Sequence, residues 1–510
     1  MKKRPNILLI TSDQQHYTTL GVTNPKIKTP HLDRLAQEGT RFTRAYCPNP
    51  TCSPTRASLI TGVYPSVHGC WAIGVKTPED IPFIGDMLQE QGYASILVGK
   101  AHFQPLATAP GSESIECQPI LRDLAFWRNF HGPWYGFNHV ETARMHTNES
   151  HAGQHYALWC EEKGLTNWRD YFEDWPPAEK KKYGEAYTKG IIPWDLPEEF
   201  HPTHWVGERT CDNIEACAQE DQPFFLWASF FDPHPPYVVP EPWLSMYDME
   251  EMEIGHFTPG EFNDMPPQFA KTQEEHPDFS MYHEEGGNGL HGFHSHLHSE
   301  AELRASMAAY YGMISLMDQE IGRILDKLDE LGIADNTLVV FTTDHGHFLG
   351  QHGLIAKGAF HYEDLLRVPL LVRYPRHIPA NMVQDGLQST IDLPATFLSI
   401  AGVAVPGFMQ SVDQTAVWEG KIPARDWVMV ENRHNPTTVH LRTLVTDRYK
   451  ITVYRHAEYG ELFDLQEDPD ELTNLWDDPN SSGIKSEMLL KFVQADIQNE
   501  PTRMPRIAGA

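Results

Sequence analysis

"NILLITSDQ", residues 6–14, is an unbroken run of apolar and hydroxyl side chains that ends on an aspartate and an amide. A run of this kind predicts a strand buried on both faces, as strands of parallel sheets are. Four other runs share the pattern: ASILVGK (94–100), FFLWASF (224–230), TLVVFTT (337–343) and PLLVRYP (369–375). Amphipathic helix patterns lie between the runs, at 29–39, 81–92 and 301–332. This alternation predicts an α/β fold with a mainly parallel central sheet flanked by helices.

The chain of 510 residues is longer than one hydrophobic core usually supports. The strand and helix pattern weakens within 105–300, where a His-rich stretch at 283–302 is typical of an exposed insertion. After about residue 405 the pattern changes to short runs that predict antiparallel hairpins. We therefore predict a large α/β domain at 1–405, with irregular insertions within 105–300, and a small C-terminal α+β subdomain at 406–510.

The charge balance restricts the partners of the protein. Forty basic and seventy acidic residues give a formal net charge of −30. So acidic a surface repels nucleic acid and anionic membranes, and it favours small substrates over long polyanions. We expect no nucleic-acid partner and no membrane partner. A small anionic substrate would need a local basic pocket.

The cysteines and the N-terminus predict a cytoplasmic location. The seven cysteines are scattered without metal-binding spacing, which is typical of free thiols in a reducing compartment. The first apolar run is shorter than the roughly 7–15 residues that a signal peptide needs. No window of the sequence approaches the roughly 20 apolar residues of a membrane-spanning helix.

Four of the five apolar runs lead directly into charged or metal-binding side chains. The residues are Asp13 and Gln14, Lys100 and His102, Asp232 and His234, and Asp344 and His345. Because the carboxyl ends of parallel strands lie along one edge of a sheet, where α/β proteins bind ligands, we expect one common site. Asp13, Gln14, Asp344 and His345 offer two carboxylates, an amide oxygen and an imidazole. That set suits one divalent ion, with Ca²⁺ favoured by the oxygen ligands and Mn²⁺ compatible with the imidazole.

A cysteine stands at the start of a predicted helix in "TCSPTRASLITG", residues 51–62. Cys52 would lie near the unpaired N–H groups of the first helical turn, and Arg56 would lie on the same face one turn later. The arginine of a thiol phosphatase loop would stand at position 58, which is a serine. A Cys–His protease does not fit a site with hard metal ligands. A plain thiol nucleophile is therefore poorly supported.

"CSPTRASLITG" resembles the signature of the type I sulfatases in the alkaline phosphatase superfamily. Three further blocks occur in the order of that family: GKAHF (99–103), SFFDPHPPY (229–237) and TTDHGHFLGQHGLIAKGAF (342–360). The resemblance runs from about residue 4 to residue 477 and is weakest within 105–220. It implies an alkaline-phosphatase-like fold and the hydrolysis of sulfate monoesters.

The resemblance also implies a modified nucleophile. Cys52 would be oxidised to formylglycine by a maturation enzyme that recognises Pro54 and Arg56. The hydrate of this aldehyde would bind the metal ion through one oxygen, so that residue 52 becomes a metal ligand, and attack sulfur. The reaction would pass through a covalent sulfo-enzyme intermediate.

The resemblance also implies roles for further side chains. Three cations would stabilise the nucleophile, the sulfate oxygens and the developing charge: Arg56, Lys100 and Lys357. His102 would assist proton transfer at the hydrate, and His234 would protonate the leaving oxygen as a general acid. Thr55 would support the turn that carries the nucleophile.

The metal ligands depart from the commonest sulfatase pattern, which has two adjacent aspartates after the first strand and Asp-Asn after the fourth. Asp13-Gln14 and Asp344-His345 resemble the branch that contains phosphonate monoester hydrolases and related arylsulfatases. The alternative activity is therefore hydrolysis of phosphonate monoesters or phosphodiesters at the same site, or promiscuity between the two. A third possibility is a non-catalytic anion- or metal-binding protein in which Cys52 stays a thiol. Relatives commonly associate, so a homo-oligomer is expected.

Overall fold

The computed structural model describes residues 4–145, 151–172, 194–275, 278–282, 299–433 and 438–502. Most of the His-rich stretch predicted as an exposed insertion, residues 283–298, lies outside the described residues.

The strands are numbered in chain order. They are β1 (Asn6–Ser12), β2 (Thr40–Tyr46), β3 (Ala94–Gly99), β4 (His139–Thr142), β5 (Phe224–Ser229), β6 (Thr337–Thr343), β7 (Phe348–Leu349), β8 (Ile355–Ala356), β9 (Arg367–Arg373), β10 (Met382–Gln384), β11 (Gln388–Ser389), β12 (Trp427–Arg433), β13 (His440–Thr446), β14 (Tyr449–Tyr454) and β15 (Gly460–Asp464).

The α-helices are numbered in the same way. They are α1 (Pro30–Glu38), α2 (Cys52–Thr61), α3 (Pro65–His68), α4 (Ile84–Gln89), α5 (Leu124–Asn129), α6 (Gln154–Glu162), α7 (Pro202–Gln219), α8 (Pro267–Lys271), α9 (Glu300–Glu330), α10 (Glu363–Leu366), α11 (Leu393–Ile400), α12 (Thr415–Trp418) and α13 (Ser482–Gln498).

The central sheet is mainly parallel, as the sequence predicts. Its strand order is β10-β2-β9-β6-β1-β5-β3-β4, and β11 pairs with β2 beside it. The neighbours β6, β1, β5 and β3 all run parallel to one another. They are the four predicted strands that lead into polar residues. The fifth predicted strand, β9, is antiparallel to β6 and to β2, so its carboxyl end lies at the opposite edge.

Two hydrophobic cores cover the two faces of this sheet. Leu8 and Ile10 of β1 pack into one core together with residues of α9, and Ile7 and Leu9 pack into the other together with Phe397 of α11. Because successive side chains of a strand point to opposite faces, a strand covered on both sides needs an unbroken apolar run. The sequence of β1 has this property.

The C-terminal region forms a separate antiparallel sheet, as its short runs predict. Its strand order is β12-β13-β14-β15, and α13 packs against β14. The boundary at residue 405 stays a prediction. Among the helices that the structure describes, none combines the length and the apolar character needed to cross a bilayer.

Element bounds agree with the predicted patterns to within a few residues. The pattern at 81–92 forms only α4, Ile84–Gln89, whereas α9 spans almost all of 301–332. α9 begins with a capping box, in which Ser299 and Glu302 satisfy each other's backbone N–H groups. β2 has no counterpart among the predicted strands.

Candidate active site

The carboxyl ends of the four parallel strands meet as predicted. The backbone N–H of Asp13, after β1, donates to the Asp232 carbonyl oxygen after β5 at 3.0 Å. The backbone N–H of Gln14 donates to Oδ1 of Asp344, after β6, at 3.0 Å. The backbone N–H of Lys100, after β3, donates to the Ser229 carbonyl oxygen at 2.9 Å. Residues that are more than 300 positions apart in sequence therefore share one buried edge.

Cys52 lies at the centre of this edge. It is the first residue of α2, and its Sγ lies 3.0 Å from Nζ of Lys357, 3.2 Å from Nε2 of His345 and 3.7 Å from Oδ1 of Asp13. Its side chain is fully buried. The start of a helix carries a partial positive charge, which stabilises an anion or a polarised group at this position.

The turn that holds Cys52 is fixed from both ends of α2. Thr55 Oγ1 donates to the carbonyl oxygen of Asn49, and Oδ1 of Asn49 accepts from the backbone N–H of Thr51 at 2.9 Å. Gly62 ends the helix in the left-handed region, with φ of 71°, and its N–H donates to the Ser58 carbonyl oxygen. The supporting role of Thr55 stays a prediction.

Arg56 joins two strand ends to α2. Its Nε donates to Oδ2 of Asp344 at 3.0 Å, and its Nη1 donates to Oγ of Ser229 at 2.8 Å and to the Lys100 carbonyl oxygen at 2.9 Å. Burial lowers the pKa of Arg56, but the carboxylates of Asp344 and Asp13 outweigh burial and raise it. The guanidinium is fully buried, and Nη2 has no hydrogen-bond partner among the described residues.

The charges around Cys52 set its protonation. Lys100 Nζ contacts Oδ2 of Asp13, and burial lowers the pKa of this lysine. Burial also acts to raise the pKa of the Cys52 thiol, but the positive charges of Lys357 and Lys100 outweigh burial and lower it. The site therefore stabilises negative charge at residue 52.

Four side chains form a cluster with the geometry of a metal site. One ligand atom from each of Asp13, Cys52, Asp344 and His345 lies within 4.8 Å of the others, and all four residues are buried. Nδ1 of His345 lies 3.0 Å from the Gly346 carbonyl oxygen. This contact leaves Nε2 for a metal, as is usual for metal-binding histidines.

The fifth predicted ligand, Gln14, fits the same centre. Its Oε1 is buried and has no hydrogen-bond partner among the described residues. Its Nε2 lies 2.8 Å from Nδ1 of His347, which fixes the orientation of the amide. A buried amide oxygen without a donor is costly unless a ligand satisfies it, and a divalent cation would do so.

The two predicted acid–base histidines have different surroundings. Nε2 of His234 lies 3.3 Å from Nζ of Lys357, and its Nδ1 contacts the Pro235 carbonyl oxygen. His102 is buried beyond β3 with φ of 59°, and its backbone N–H donates to Oε1 of Glu116 at 3.1 Å. The roles of both histidines stay predictions.

The sequence-based reasoning did not identify a supporting layer beneath the metal site. His347 links Gln14 to Tyr237, whose hydroxyl lies 2.8 Å from Nε2 of that histidine. Burial holds the pKa of His347 well below its usual value, so this ring is neutral. His347 stands two positions after His345, and this spacing of two histidines is the feature of the sequence that could have identified it.

The family comparison agrees with this geometry. Residues 5–403 match the family model described as sulfatase, and residues 350–498 match the model of the C-terminal region of N-sulphoglucosamine sulphohydrolase. The first match covers more than half of the chain.

Individual relatives match over nearly their whole length. An arylsulfatase of Clostridium perfringens is 29% identical, over 92% of this chain and 90% of that protein. A multifunctional alkaline phosphatase superfamily protein, PehA of Trinickia caryophylli, is 28% identical, over 93% and 92%. The crystal structure of the phosphonate monoester hydrolase of Agrobacterium radiobacter has a TM-score of 0.77 at 24% identity, over 97% and 96%, which shows the shared fold. The chain therefore belongs to the sulfatase family and is a sulfuric ester hydrolase.

Proposed function

We propose that the protein hydrolyses small sulfate monoesters with a formylglycine nucleophile that is made from Cys52 by a maturation enzyme. The observation that carries the proposal is the position of the Cys52 side chain. It lies 3.0 Å from the Lys357 ammonium and within the cluster of Asp13, Asp344 and His345. A nucleophile at this point would have a cation beside it and metal ligands around it.

We propose one divalent ion at this centre, Ca²⁺ in preference to Mn²⁺. The donors are mainly oxygens, from Asp13, Asp344 and Gln14, and such a set favours Ca²⁺, whereas the His345 imidazole keeps Mn²⁺ compatible. When bound, the ion supplies Lewis acidity and positive charge.

The cations of the chain have separate tasks in this proposal. Arg56 holds the Asp344 carboxylate, and Lys100 holds the Asp13 carboxylate, so both acids keep a fixed orientation. Lys357 donates toward residue 52 and stabilises the negative charge that grows on the sulfuryl oxygens. Fixed cations in a buried site act without reorganisation, which is the source of their large effect.

His234 is the proposed acid for the leaving oxygen. The contact of Nδ1 with the Pro235 carbonyl oxygen directs Nε2 toward Lys357 and the nucleophile. A proton at Nε2 can pass to the alcohol as the ester bond breaks. The substitution His234→Ala should slow esters of poor leaving groups by about 10²–10⁴-fold and activated aryl esters much less. Equal losses on both would remove this role.

Hydrolysis of phosphonate monoesters or phosphodiesters is the second candidate function. Gln14 supplies an amide where the commonest sulfatase pattern supplies a carboxylate, so the ligand set has one negative charge fewer. The fold is shared with a phosphonate monoester hydrolase. Phosphonate monoesters and phosphodiesters carry a single negative charge, as sulfate monoesters do, so the cations of the site would suit either class of substrate.

Parallel assays decide between the candidates. The protein is made together with a formylglycine-generating enzyme, and kcat/KM is measured on 4-nitrophenyl sulfate and on phenyl phenylphosphonate. We expect the sulfate to be the better substrate, and a clearly higher value for the phosphonate would reverse the order. Intact-protein mass spectrometry should show a mass about 18 Da below that of the unmodified chain. An unmodified, inactive protein would favour a non-catalytic binding function.

Location and assembly are proposals of the same kind. Each of the seven cysteines, all within the described ranges, is a buried free thiol. This agrees with the proposed reducing compartment, the cytoplasm. A homo-oligomer is proposed because relatives commonly associate, and gel filtration with light scattering would test it.

A further inference from the structure

The segment that follows β3, residues 100–104, carries Lys100 and His102 and is held at both ends. At its first residue, the Lys100 carbonyl oxygen accepts from Nη1 of Arg56 at 2.9 Å. Near its other end, two backbone N–H groups donate to a single side chain, Glu116. The proposed function gives Glu116 no task, although this residue lies against the predicted acid–base histidine.

Glu116 binds this segment through both of its carboxylate oxygens. Oε1 lies 3.1 Å from the backbone nitrogen of His102, and Oε2 lies 2.6 Å from the backbone nitrogen of Gln104. The Glu116 side chain is completely buried. A carboxylate offers two acceptor oxygens and an amide offers one, so a glutamine could not accept from both N–H groups.

The backbone of His102 adopts a conformation that requires support. Its φ is 59°, in the left-handed region, which residues other than glycine seldom adopt. Residues persist in such conformations where surrounding contacts hold them, and they are frequent at functional sites. The two hydrogen bonds to Glu116 lie on either side of this torsion along the chain, so they oppose its rotation. They therefore fix the direction in which the imidazole leaves the backbone.

Glu116 is itself held in place by the segment that it supports. Its N–H donates to Oγ of Ser114 at 3.1 Å, and that hydroxyl donates to the Pro105 carbonyl oxygen at 2.7 Å. The Ile115 N–H donates to Oε1 of Gln104 at 2.7 Å. The carboxylate thus has little freedom to move away from the backbone N–H groups that it accepts.

A buried cation compensates the charge of Glu116. Arg144 stands two residues after β4 and is 3% exposed. Burial raises the pKa of Glu116, and the positive charge of Arg144 and the backbone N–H groups oppose this rise. A buried carboxylate needs such hydrogen bonds and opposite charge to keep its negative charge inside the fold.

We propose that Glu116 is a positioning residue, which holds His102 in place for proton transfer at residue 52. The inference rests on the proposed function, in which His102 assists this transfer. Glu116 acts through the backbone of His102 and does not contact the substrate. Misplacement of a reacting group by about 1 Å can slow a reaction by about 10²-fold. Loss of Glu116 should therefore slow turnover without weakening substrate binding.

A double-mutant cycle tests this inference. Kinetics on 4-nitrophenyl sulfate are measured for Glu116→Gln, His102→Ala and the double variant, with rates expressed per molecule that contains formylglycine. Glu116→Gln should lower kcat by about 10–100-fold and leave KM within about twofold of the parent value. Added to His102→Ala, the same substitution should change kcat by less than about twofold, because the imidazole that Glu116 holds is then absent.

Asp318 provides the matched control. It is a buried carboxylate of α9 that also accepts from two backbone N–H groups, those of His31 and Leu32, at 3.0 and 2.7 Å. Asp318→Asn removes the same kind of contact at the start of α1 rather than beside a strand end. It should lower stability and leave kcat unchanged, with or without the His102 side chain.

Crystal structures of the parent and of Glu116→Gln give a readout that does not depend on activity. In the variant, the His102 backbone should leave the left-handed region, or its ring should occupy more than one position. Asp318→Asn should keep the parent conformation of His102. If Glu116→Gln does not fold, Glu116→Asp replaces it with the same expectations, because its side chain is one methylene shorter and cannot reach both N–H groups.

Two results would overturn the inference: an unchanged His102 conformation in the variant, or an equal loss of kcat with and without the His102 side chain. Either result would leave the proposed hydrolysis of sulfate esters standing. Lack of turnover by the mature parent protein would instead refute the proposed function. The crystal structures would still show whether Glu116 holds His102, so the two failures are distinguishable.

Discussion

Two lysines of the protein, Lys100 and Lys450, are completely buried and contact carboxylates, yet their surroundings are opposite in charge. Around Cys52, three cations face the two carboxylates of the strand ends: Arg56, Lys100 and Lys357 with Asp13 and Asp344. Around Lys450, two cations face three glutamates: Lys450 and Arg367 with Glu363, Glu461 and Glu471. An excess of cations attracts an anionic ester, whereas an excess of buried acids binds protons.

The pKa shifts follow this difference. Burial lowers the pKa of Lys100, and the contact with Asp13 does not restore it. Burial also acts to lower the pKa of Lys450, but Glu471 and Glu363 outweigh burial and raise it. Burial raises the pKa of Glu461 to about 7 and that of Glu471 to about 8. The burial of a lysine alone therefore does not distinguish the two clusters, whereas the sign of the surplus charge does.

The largest expected effect comes from the proposed nucleophile, residue 52. We predict that Cys52→Ala lowers kcat/KM on 4-nitrophenyl sulfate by at least about 10⁴-fold, because loss of a nucleophile removes the whole covalent route. Cys47→Ala is the matched control, since Cys47 is equally buried and directly follows β2, before the segment that leads to Cys52. It should cost stability and spare kcat/KM. Activity retained by Cys52→Ala would refute the assigned nucleophile.

Removal of one cation from the cluster around Cys52 tests whether the excess of positive charge there serves catalysis. Lys357→Met should lower kcat/KM by about 10²–10³-fold, the usual effect of deleting one stabilising group of a charged transition state. The free energy of unfolding should fall by less than about 1 kcal/mol, because the loss of Lys357 relieves repulsion among like charges. Enzyme kinetics and urea denaturation measure the two effects. A large loss of stability with normal activity would make Lys357 a structural residue.

Substitution of lysine by methionine in the cluster around Lys450 should instead lower stability and spare activity. Lys450→Met removes the cation that faces buried Glu461 and Glu471, whereas Glu363 keeps Arg367, and it should destabilise the fold by about 3 kcal/mol. Activity at 25 °C should stay near that of the parent. Lys421→Met is the control, because Lys421 is 67% exposed and should change neither quantity. If folded Lys450→Met lost more than about tenfold in kcat/KM, the two clusters would not be separable in function.

The sequence predicts the centre of the sheet better than its edges. β1, β3, β5 and β6 are buried on both faces and read as unbroken apolar runs. β2 reads TRFTRAY, in which Arg41 and Arg44 interrupt the apolar positions, because this strand is only partly buried. The direction of β9 also could not be predicted, since an apolar run has the same pattern in either direction.

The buried polar clusters also differ in how far the sequence predicts them. The strand-end residues of the candidate active site could be predicted to lie together, because parallel strands put their carboxyl ends at one edge of the sheet. The Lys450 cluster could not be predicted, because Glu363 and Glu471 come from segments whose packing no local sequence pattern specifies.

The smallest expected effect is a change in the pH dependence of stability. Glu461 is buried, accepts from the Tyr454 hydroxyl and lies near Lys450, and its pKa of about 7 exceeds the unfolded value of 4.5. Between these values the folded state keeps a proton that the unfolded state loses, so stability falls as pH rises. One such group contributes at most about 1.4 kcal/mol per pH unit.

Glu461→Gln should remove this contribution. Urea denaturation at pH 5, 6, 7 and 8 should give a shallower loss of stability for the variant than for the parent protein, because glutamine is neutral in both states. The exposed Glu458, on the same hairpin, provides the control Glu458→Gln, which should keep the parent slope. Glu471, with its pKa of about 8, should preserve part of the decline above pH 7 in both variants. Parallel curves for Glu461→Gln and the parent would show that Glu461 is ionised in the fold, and the second cluster would then balance charge rather than bind protons.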